Sequence, residues 1–419
     1  ENWNMVMVGD DPDGLPTGTW PAKAYTEVAE ADIVQDKPLF LWTDPKTREN
    51  MGIYVPAKRA HAVATSWNTA KDLKAEDYEP APVVTDLSLF PENLGHISPM
   101  DDWYIAHAGQ DTAKSLNRAL ENGRHLLFTP GIYYLEEPLQ VQQNGRILLG
   151  LGLATLRPTK GNICVETRAD DLILAGLLLD AGSAYIPVNG TDSAEKSLGE
   201  PVISPNLLVV GKGKNVSLND LYFRVGGCDT QEPAQATCCI TIDADRVIGD
   251  NLWVWRADHG DQVAWDKNVT KNGIVINGDD AVMYALMVEH FHEYQTIWRG
   301  NGGRLYMYQS EIPYDVPSNE VWMSREGTRA GYASLFIDDE TESFHGEGIG
   351  IYLYNRDAPV LLESAMEMPD KEGVSVHHII TVMLNGNPGM HHVINDAGNA
   401  VMTRGAEAML LDYEKGEYR

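Results

Sequence analysis

Two glutamates near the middle of the chain stand at the ends of apolar, strand-like runs. Glu289 follows Met287-Val288, and Glu311 lies in the run Gln309-Ser310-Glu311-Ile312-Pro313-Tyr314. They are 22 residues apart (311 − 289), and a coil of a parallel β-helix uses roughly 20 to 30 residues. Equivalent side chains on adjacent coils stack at about 4.8 Å, where two carboxylates cannot both ionise without cost. A protonated carboxyl beside a carboxylate is the pair that glycoside hydrolysis requires.

The chain around these glutamates repeats a unit of strand, small or polar bend residue and strand. Successive bends at Gly176, Asp220, Asn251 and Ala285 are 44, 31 and 34 residues apart. Constant strands separated by loops of variable length are typical of a solenoid whose coils gain a core by stacking. The sequence therefore predicts an all-β fold, a right-handed parallel β-helix of the pectin-lyase-like kind over residues 101–400. A β-sandwich is the competing fold.

The segments outside the coils have weaker signals. Residues 1–100 are predicted to form a covering segment of strands and turns, in which 76–99 is rich in proline and acid. A short helix over 111–120, ended by Gly123 as a C-cap glycine, would close the open end of the first coil. Residues 401–419 are predicted to be a C-terminal tail without a readable motif.

The composition favours a protein that works outside the cytoplasm. Acidic residues outnumber basic ones by 61 to 32, for a net charge of −29, so nucleic acids and anionic membrane surfaces would be repelled. No apolar run approaches the roughly 18 residues that span a bilayer, and the first residue is Glu1, as after removal of a signal peptide. The four cysteines show neither a disulfide framework nor metal-ligand spacing. We therefore expect a secreted or periplasmic protein with a polysaccharide partner, no nucleic-acid or membrane partner, no metal and no cofactor.

Three ordered blocks over residues 251–317 resemble glycoside hydrolase family 55. They are Asn251-Leu252-Trp253-Val254-Trp255-Arg256-Ala257-Asp258-His259, then Val288-Glu289-His290 with Tyr294-Gln295, then Gln309-Ser310-Glu311-Ile312-Pro313-Tyr314 with Pro317. The resemblance implies parallel β-helices and cleavage of β-1,3-glucan such as laminarin, mostly from chain ends and with inversion. Two features differ from the family pattern: the chain has room for one β-helix rather than two, and Asp315 stands where an aromatic residue is usual.

The same resemblance implies roles for the candidate residues. Glu311 matches the position of the general acid, and Glu289 is predicted to hold the attacking water or to tune the pKa of Glu311. Aromatic rings are common platforms for sugars, and Trp253 and Trp255 fit a platform and a core position equally well. The predicted substrate-binding residues are polar or aromatic and cluster in sequence around the glutamates: Asp258, His259, Trp265, Asp280, Tyr294, Trp298, Gln309 and Tyr314.

Other functions fit parts of the same pattern. An α-1,3-glucan hydrolase would use Asp258 with the pair Asp279-Asp280, although Asn277-Gly278-Asp279-Asp280 is also a typical turn sequence. A polysaccharide lyase would need Lys or Arg with Ca²⁺, and only Arg299 and Arg304 lie between the two glutamate blocks. A non-catalytic carbohydrate-binding solenoid would keep the aromatic residues and have no need of stacked carboxylates.

Overall fold

Parallel strands stacked into two long sheets dominate the computed structural model, which describes residues 5–8, 25–28, 31–44, 49–60, 95–182, 203–228 and 233–418. The chain passes alternately from one sheet to the other, so each circuit adds one coil to a parallel β-helix. The predicted fold class is confirmed. Most of the predicted acidic, proline-rich stretch lies outside the described residues.

The large sheet has thirteen strands among the described residues. In chain order they are β6 (Trp103–Ala106), β7 (His125–Phe128), β8 (Ile132–Leu135), β10 (Ile147–Pro158), β12 (Ile173–Asp180), β14 (Ser217–Val225), β16 (Ile248–Arg256), β18 (Val282–Glu289), β20 (Gly303–Glu311), β24 (Phe344–Tyr354), β26 (Val374–Asn385), β28 (Glu407–Glu414) and β29 (Glu417–Tyr418).

The second sheet supplies the other wall of each coil. Its described strands are β9 (Leu139–Val141), β11 (Val165–Thr167), β13 (Ile203–Val210), β15 (Gln235–Ile242), β17 (Asn272–Ile276), β19 (Thr296–Trp298), β23 (Leu335–Ile337), β25 (Leu362–Glu367) and β27 (Met390–Ile394). Three small sheets join β1 (Met5–Val8) to β2 (Tyr25–Val28), β3 (Leu39–Asp44) to β4 (Glu49–Pro56) and β5 (Gly95–Pro99), and β21 (Met323–Ser324) to β22 (Arg329–Ala330). Single 3-10 turns cover Met100–Asp102, Asn319–Val321 and Arg325–Gly327.

Each coil of the large sheet bends at the same register position. The predicted bends at Gly176, Asp220, Asn251 and Ala285 have φ of 68°, 49°, 55° and 54°. Their preceding residues pair from strand to strand, and the row continues through Met307, Gly348 and His378, also at positive φ. Because left-handed backbone is costly for most residues, this row is held by the stacking of the coils. The predicted bend positions are confirmed.

The N-terminal end of the stack is closed by helix α1 (Ala113–Glu121). Thr112 and Ser115 form a capping box at its start, and Gly123 ends it at φ 78°, as predicted from the glycine. Leu116 and Leu120 are buried in the core that lies between the sheets. Within the described residues no helix has the length and apolar character needed to cross a membrane.

The two termini both contact the large sheet. Strand β28 pairs antiparallel with β26 at the end of the stack, so the predicted C-terminal tail contributes strands that cover the last coil. At the N-terminus, Gln35 hydrogen-bonds with Ser217 and Asn219 of β14, and Tyr306 of β20 donates to Asp32. The N-terminal segment therefore ties several coils together along the outer face, as a covering segment would.

Candidate active site

The two glutamates are direct register partners at the carboxyl ends of adjacent strands. Glu289 ends β18 and Glu311 ends β20. Their row continues to Trp255 of β16 on one side and to Tyr352 of β24 on the other. The residues immediately before them in sequence, Val254, Val288, Ser310 and Ile351, are fully buried. Side chains alternate along a strand, so the glutamate row faces outward, and the predicted stacking on adjacent coils is confirmed.

Two tryptophans form a flat surface beside the glutamates. Trp253 and Trp255 lie on the outer face of β16, with ring centroids 5.6 Å apart and planes at 22°. Trp253 is 38% exposed, and its Nε1 donates a hydrogen bond of 3.0 Å to Oε2 of Glu289. Both rings lie outside the core, so the core position that the sequence left open for these tryptophans is excluded.

The surroundings of Glu289 favour its neutral form. Burial is the largest influence, and the charges of Glu311 and Asp258 act in the same direction, while the hydrogen bond from Trp253 opposes them. Together they raise the pKa of Glu289 from 4.5 to about 7. This carboxyl therefore keeps a proton at a pH where an exposed glutamate is ionised.

Glu311 is also shifted toward its neutral form. Burial raises the pKa of Glu311 and the charge of Asp258 adds to the effect, while the hydrogen bond from Tyr314 lowers it. The hydroxyl of Tyr314 donates to Oε2 of Glu311, and Nε2 of Gln309 donates to Oε1 at 3.4 Å. Gln309 and Tyr314, both predicted as site residues, are thus in contact with the predicted acid.

The loop after β16 brings Asp258 close to the same carboxyl. Nε2 of His290 lies 3.7 Å from Oε2 of Glu311 and 3.9 Å from Oδ1 of Asp258. Burial lowers the pKa of His290 to about 4, so its ring is neutral near pH 7. His259, on the same loop, places Nδ1 at 2.8 Å from Oδ1 of Asp258. Asp258 and His259 therefore lie at the site, as predicted.

A buried ion pair holds this loop and the end of β18. Arg256 is fully buried and donates to both carboxylate oxygens of Asp315, at 2.9 and 2.7 Å. It also donates to the carbonyl oxygens of His290 and Asn268. Burial acts to raise the pKa of Asp315, and the hydrogen bonds from Arg256 outweigh it, so this pKa is lowered. Asp315, which departs from the family pattern, is therefore a structural partner of Arg256.

Trp298 is wrongly predicted as a substrate platform. Its side chain is fully buried in the core, where its ring packs edge-on against Phe344 with centroids 5.0 Å apart. Strand β19 is only three residues long and all three are buried. Position beside a loop in sequence therefore did not indicate exposure.

Asp280 is not brought to the glutamates either. It lies before the start of β18, whereas Glu289 ends that strand, and it has the φ of a turn residue, 57°. Asp279 accepts a hydrogen bond from the backbone N–H of Asn301, so the turn interpretation of this sequence is correct. Since Asp258 follows the end of β16, the structure separates the aspartates that an α-glucanase site would need.

Tyr294 and Trp265 support neighbouring segments. The ring of Tyr294 stacks on Phe336 of the second sheet, with centroids 4.7 Å apart. The ring of Trp265 lies 4.2 Å from that of His292, and the Arg256 guanidinium is 6.0 Å from its centre. Trp265 therefore packs on the side chains that hold the Asp258 loop.

Three site residues of the later strand and its following loop were not predicted. Tyr352 is the register partner of Glu311, the ring of Tyr354 packs against Tyr314 at 5.0 Å, and Arg356 donates to the carbonyl oxygen of Asp258 at 2.8 Å. The alternation Tyr352-Leu353-Tyr354 was the available signal, because it puts both tyrosines on one face of a strand.

The sequence of this chain is similar to a known protein family and to a characterised relative. The family model described as the LAM55 pectate lyase-like domain matches residues 103–311. An exo-beta-1,3-glucanase of Streptomyces sp. (strain SirexAA-E / ActE) is 34% identical over 406 residues, which cover 95% of this chain and 59% of that protein. The chain thus spans less than two thirds of that relative.

Solved structures extend the comparison to the fold. The structure of sacteLam55A from Streptomyces sp. SirexAA-E matches with a TM-score of 0.81 and 30% identity, covering 98% of this chain and 68% of that one. A variant of sacteLam55A in complex with glucose matches with a TM-score of 0.80, also at 30% identity, covering 98% and 67% of the two chains. The chain described here belongs to the LAM55 family, glycoside hydrolase family 55.

Proposed function

We propose that this chain is a glycoside hydrolase that cleaves β-1,3-glucan, with Glu311 as general acid. The observation that carries the proposal is the in-register pair of Glu289 and Glu311 on the outer face, with the pKa of both raised and the tryptophan surface beside them. The name of the Streptomyces relative, an exo-beta-1,3-glucanase, supports the choice of glucan.

In the proposed reaction the carboxyl pair shares one proton. Glu311 transfers it to the glycosidic oxygen while the bond from this oxygen to the anomeric carbon breaks. A water molecule held near Glu289 adds its oxygen to that carbon, and the proton that it loses returns to the carboxyl pair, which then again shares one proton. Strict stacking of register partners would put the two carboxyl groups about 4.8 Å apart, which is less than the roughly 6.5 to 9.5 Å that separates acid and base in inverting enzymes. Inversion therefore requires that neighbouring polar groups, Asp258 among them, help to hold the water.

The substrate is expected to lie along the outer face of the large sheet. The apolar face of a pyranose ring stacks on indole, and Trp253 and Trp255 offer such a surface next to Glu289. Tyr352 and Tyr354 extend the aromatic lining on the other side of Glu311. Because glucans of this kind are extracellular polymers, and because the chain is strongly acidic, we also propose that the protein works outside the cytoplasm.

The roles of the two glutamates are tested by comparing two substrates. Glu311→Gln and Glu289→Gln are assayed on laminarin and on an aryl β-glucoside whose phenolate leaves without protonation. Removal of a general acid costs about 10² to 10⁴ in rate when the leaving group needs a proton and far less when it does not. We therefore expect Glu311→Gln to lose laminarin hydrolysis and to keep much of its rate on the aryl glucoside.

The matched control is Asp280→Asn, because Asp280 is an acid at the other end of β18 and Asn tolerates its left-handed backbone. This variant should hydrolyse laminarin like the parent protein. If Glu289→Gln, rather than Glu311→Gln, keeps its hydrolysis rate on the aryl glucoside, then Glu289 is the general acid. Full laminarin activity in Glu311→Gln would reject the assignment of the acid, and activity on α-1,3-glucan alone would reject the substrate.

A further inference from the structure

A second group of potential ligand side chains lies on the large sheet, apart from the glutamate row. His345 and Glu347 alternate on β24, and His377 of β26 is the register partner of Glu347. One ligand atom of each residue lies within 4.8 Å of those of the other two. Glu347 precedes the bend at Gly348, whereas Tyr352 of the glutamate row follows it. The group is therefore separate from the candidate active site.

The imidazole rings of this group are already oriented by other side chains. Nδ1 of His345 lies 2.9 Å from Oγ of Ser375, and its Nε2 lies 2.8 Å from Oε1 of Glu347. Nδ1 of His377 is hydrogen-bonded to Asp412 of β28. Metal-ligating histidines commonly bond their second nitrogen to a carboxylate or another oxygen, which fixes the tautomer and the direction of the ring. Both rings have such a partner on Nδ1, and Nε2 of His345 points to Oε1 of Glu347, the other ligand atom of the group.

We propose that His345, Glu347 and His377 bind a divalent transition-metal ion, for which Zn²⁺ is the best match. Two imidazole nitrogens and one carboxylate oxygen are a donor set that zinc takes with a fourth position left to water. Calcium requires six to eight oxygen ligands, which this group does not offer. The three side chains are 28%, 15% and 37% exposed, so an ion can reach them from solvent.

The bound ion would join the last coils of the stack. It links β24 to β26 through its ligands, and it links to β28 through the contact of Asp412 with His377. Strand β28 pairs antiparallel with β26 and covers the end of the β-helix. Metal binding is therefore expected to raise the unfolding temperature, because an ion that binds only the folded chain stabilises it.

The test begins with the metal-free chain, prepared by dialysis against EDTA and titrated with ZnCl₂ in a calorimeter. We expect one Zn²⁺ ion per chain, and binding should raise the melting temperature. His345→Gln and His377→Gln should each lose this binding, and Asp412→Asn should weaken it by about 10- to 100-fold, as is usual for groups that orient a ligand. Cobalt(II) in place of zinc should give the visible absorption of a four-coordinate ion in the parent protein and not in His345→Gln or His377→Gln.

The control is a similar set of residues on β25 and β27. His391 and His392 lie 3.3 and 3.8 Å from Glu363, and His391→Gln should bind zinc like the parent protein. Should a ligand variant fail to fold in EDTA, modification of the native chain by diethylpyrocarbonate replaces it: zinc should protect His345 and His377 and leave His391 reactive. Absence of zinc binding in the parent chain, unchanged binding in both ligand variants, or equal protection of all histidines would each overturn the proposal.

Discussion

Replacing Glu289 by glutamine is expected to make the protein more stable at neutral and alkaline pH. Burial and the neighbouring charge of Glu311 raise the pKa of Glu289 to about 7. The folded chain therefore holds this proton up to about pH 7, whereas the unfolded chain releases it near pH 4.5. As the pH rises through this window, ionisation stabilises the unfolded chain and not the folded one. Glutamine has a similar shape, still accepts from Trp253, and cannot ionise.

The magnitude follows from the difference between the two pKa values. One pKa unit corresponds to about 1.4 kcal/mol, so the difference between 4.5 and about 7 corresponds to about 3.5 kcal/mol at most. The carboxyl keeps some contact with solvent, so we expect about 1 to 3 kcal/mol. At about 2 cal/mol/K per residue of unfolding entropy, the 419 residues convert this free energy into about 1 to 3 °C in melting temperature.

The assay compares urea midpoints and melting temperatures of the parent and Glu289→Gln at pH 4.5, 6, 7 and 8. The two proteins should coincide at pH 4.5 and diverge as the pH rises. The exposed glutamate Glu136 provides the control, since Glu136→Gln should follow the parent at every pH. Parallel curves for parent and Glu289→Gln would show that Glu289 has no raised pKa, and a divergence seen only in Glu311→Gln would assign the proton to Glu311.

Two further predictions concern the supports of the site. Breaking the buried pair by Asp315→Asn should lower the free energy of unfolding by about 3 to 5 kcal/mol. It should also lower kcat, because Arg256 donates a hydrogen bond to the carbonyl oxygen of His290 as well as to Asp315. Denaturant titration and laminarin kinetics measure the two effects, and an unchanged melting temperature would contradict the structural role of the pair. Trp298→Ala removes a core side chain and should lower the free energy of unfolding by about 3 to 5 kcal/mol. Trp253 is 38% exposed, so Trp253→Ala should raise the KM for laminarin with little loss of stability. Equal stability losses in the two tryptophan variants would contradict the assignment of one to the core and the other to the substrate surface.

The position of the glutamate pair could be predicted because it depends on local features of the sequence. The spacing of 22 residues, about one short coil, and the apolar run before each glutamate were enough to place Glu289 beside Glu311. The bend positions could also be predicted from the sequence, since Gly, Asp and Asn tolerate left-handed backbone and recur at Gly176, Asp220 and Asn251. Helix α1 was indicated by Gly123 at its end.

Residues whose environment is set by distant coils could not be predicted in the same way. Trp298 is closer in sequence to both glutamates than the two tryptophans of β16 are, yet its ring lies in the core, on a strand of the second sheet whose three residues are all buried. Asp315 pairs with Arg256 across 59 residues of sequence, and nothing local to either residue indicates the partner. The prediction of no metal considered cysteine spacing alone. The residues of the metal site proposed above, His345, Glu347 and His377, come together only because β24 and β26 pair.

The geometry of the glutamates is enforced by the core beneath them. A slip of one residue in a strand would turn every side chain to the opposite face, so it would place Val288 or Ser310 outside and a carboxyl among apolar side chains. Burying an unpaired carboxylate costs far more than the strands gain from one pairing, and the alternative registers are therefore excluded. The raised pKa values that favour an acid at this position arise from the same partial burial. Stacking of the coils thus sets both the position of the two carboxyl groups and their protonation.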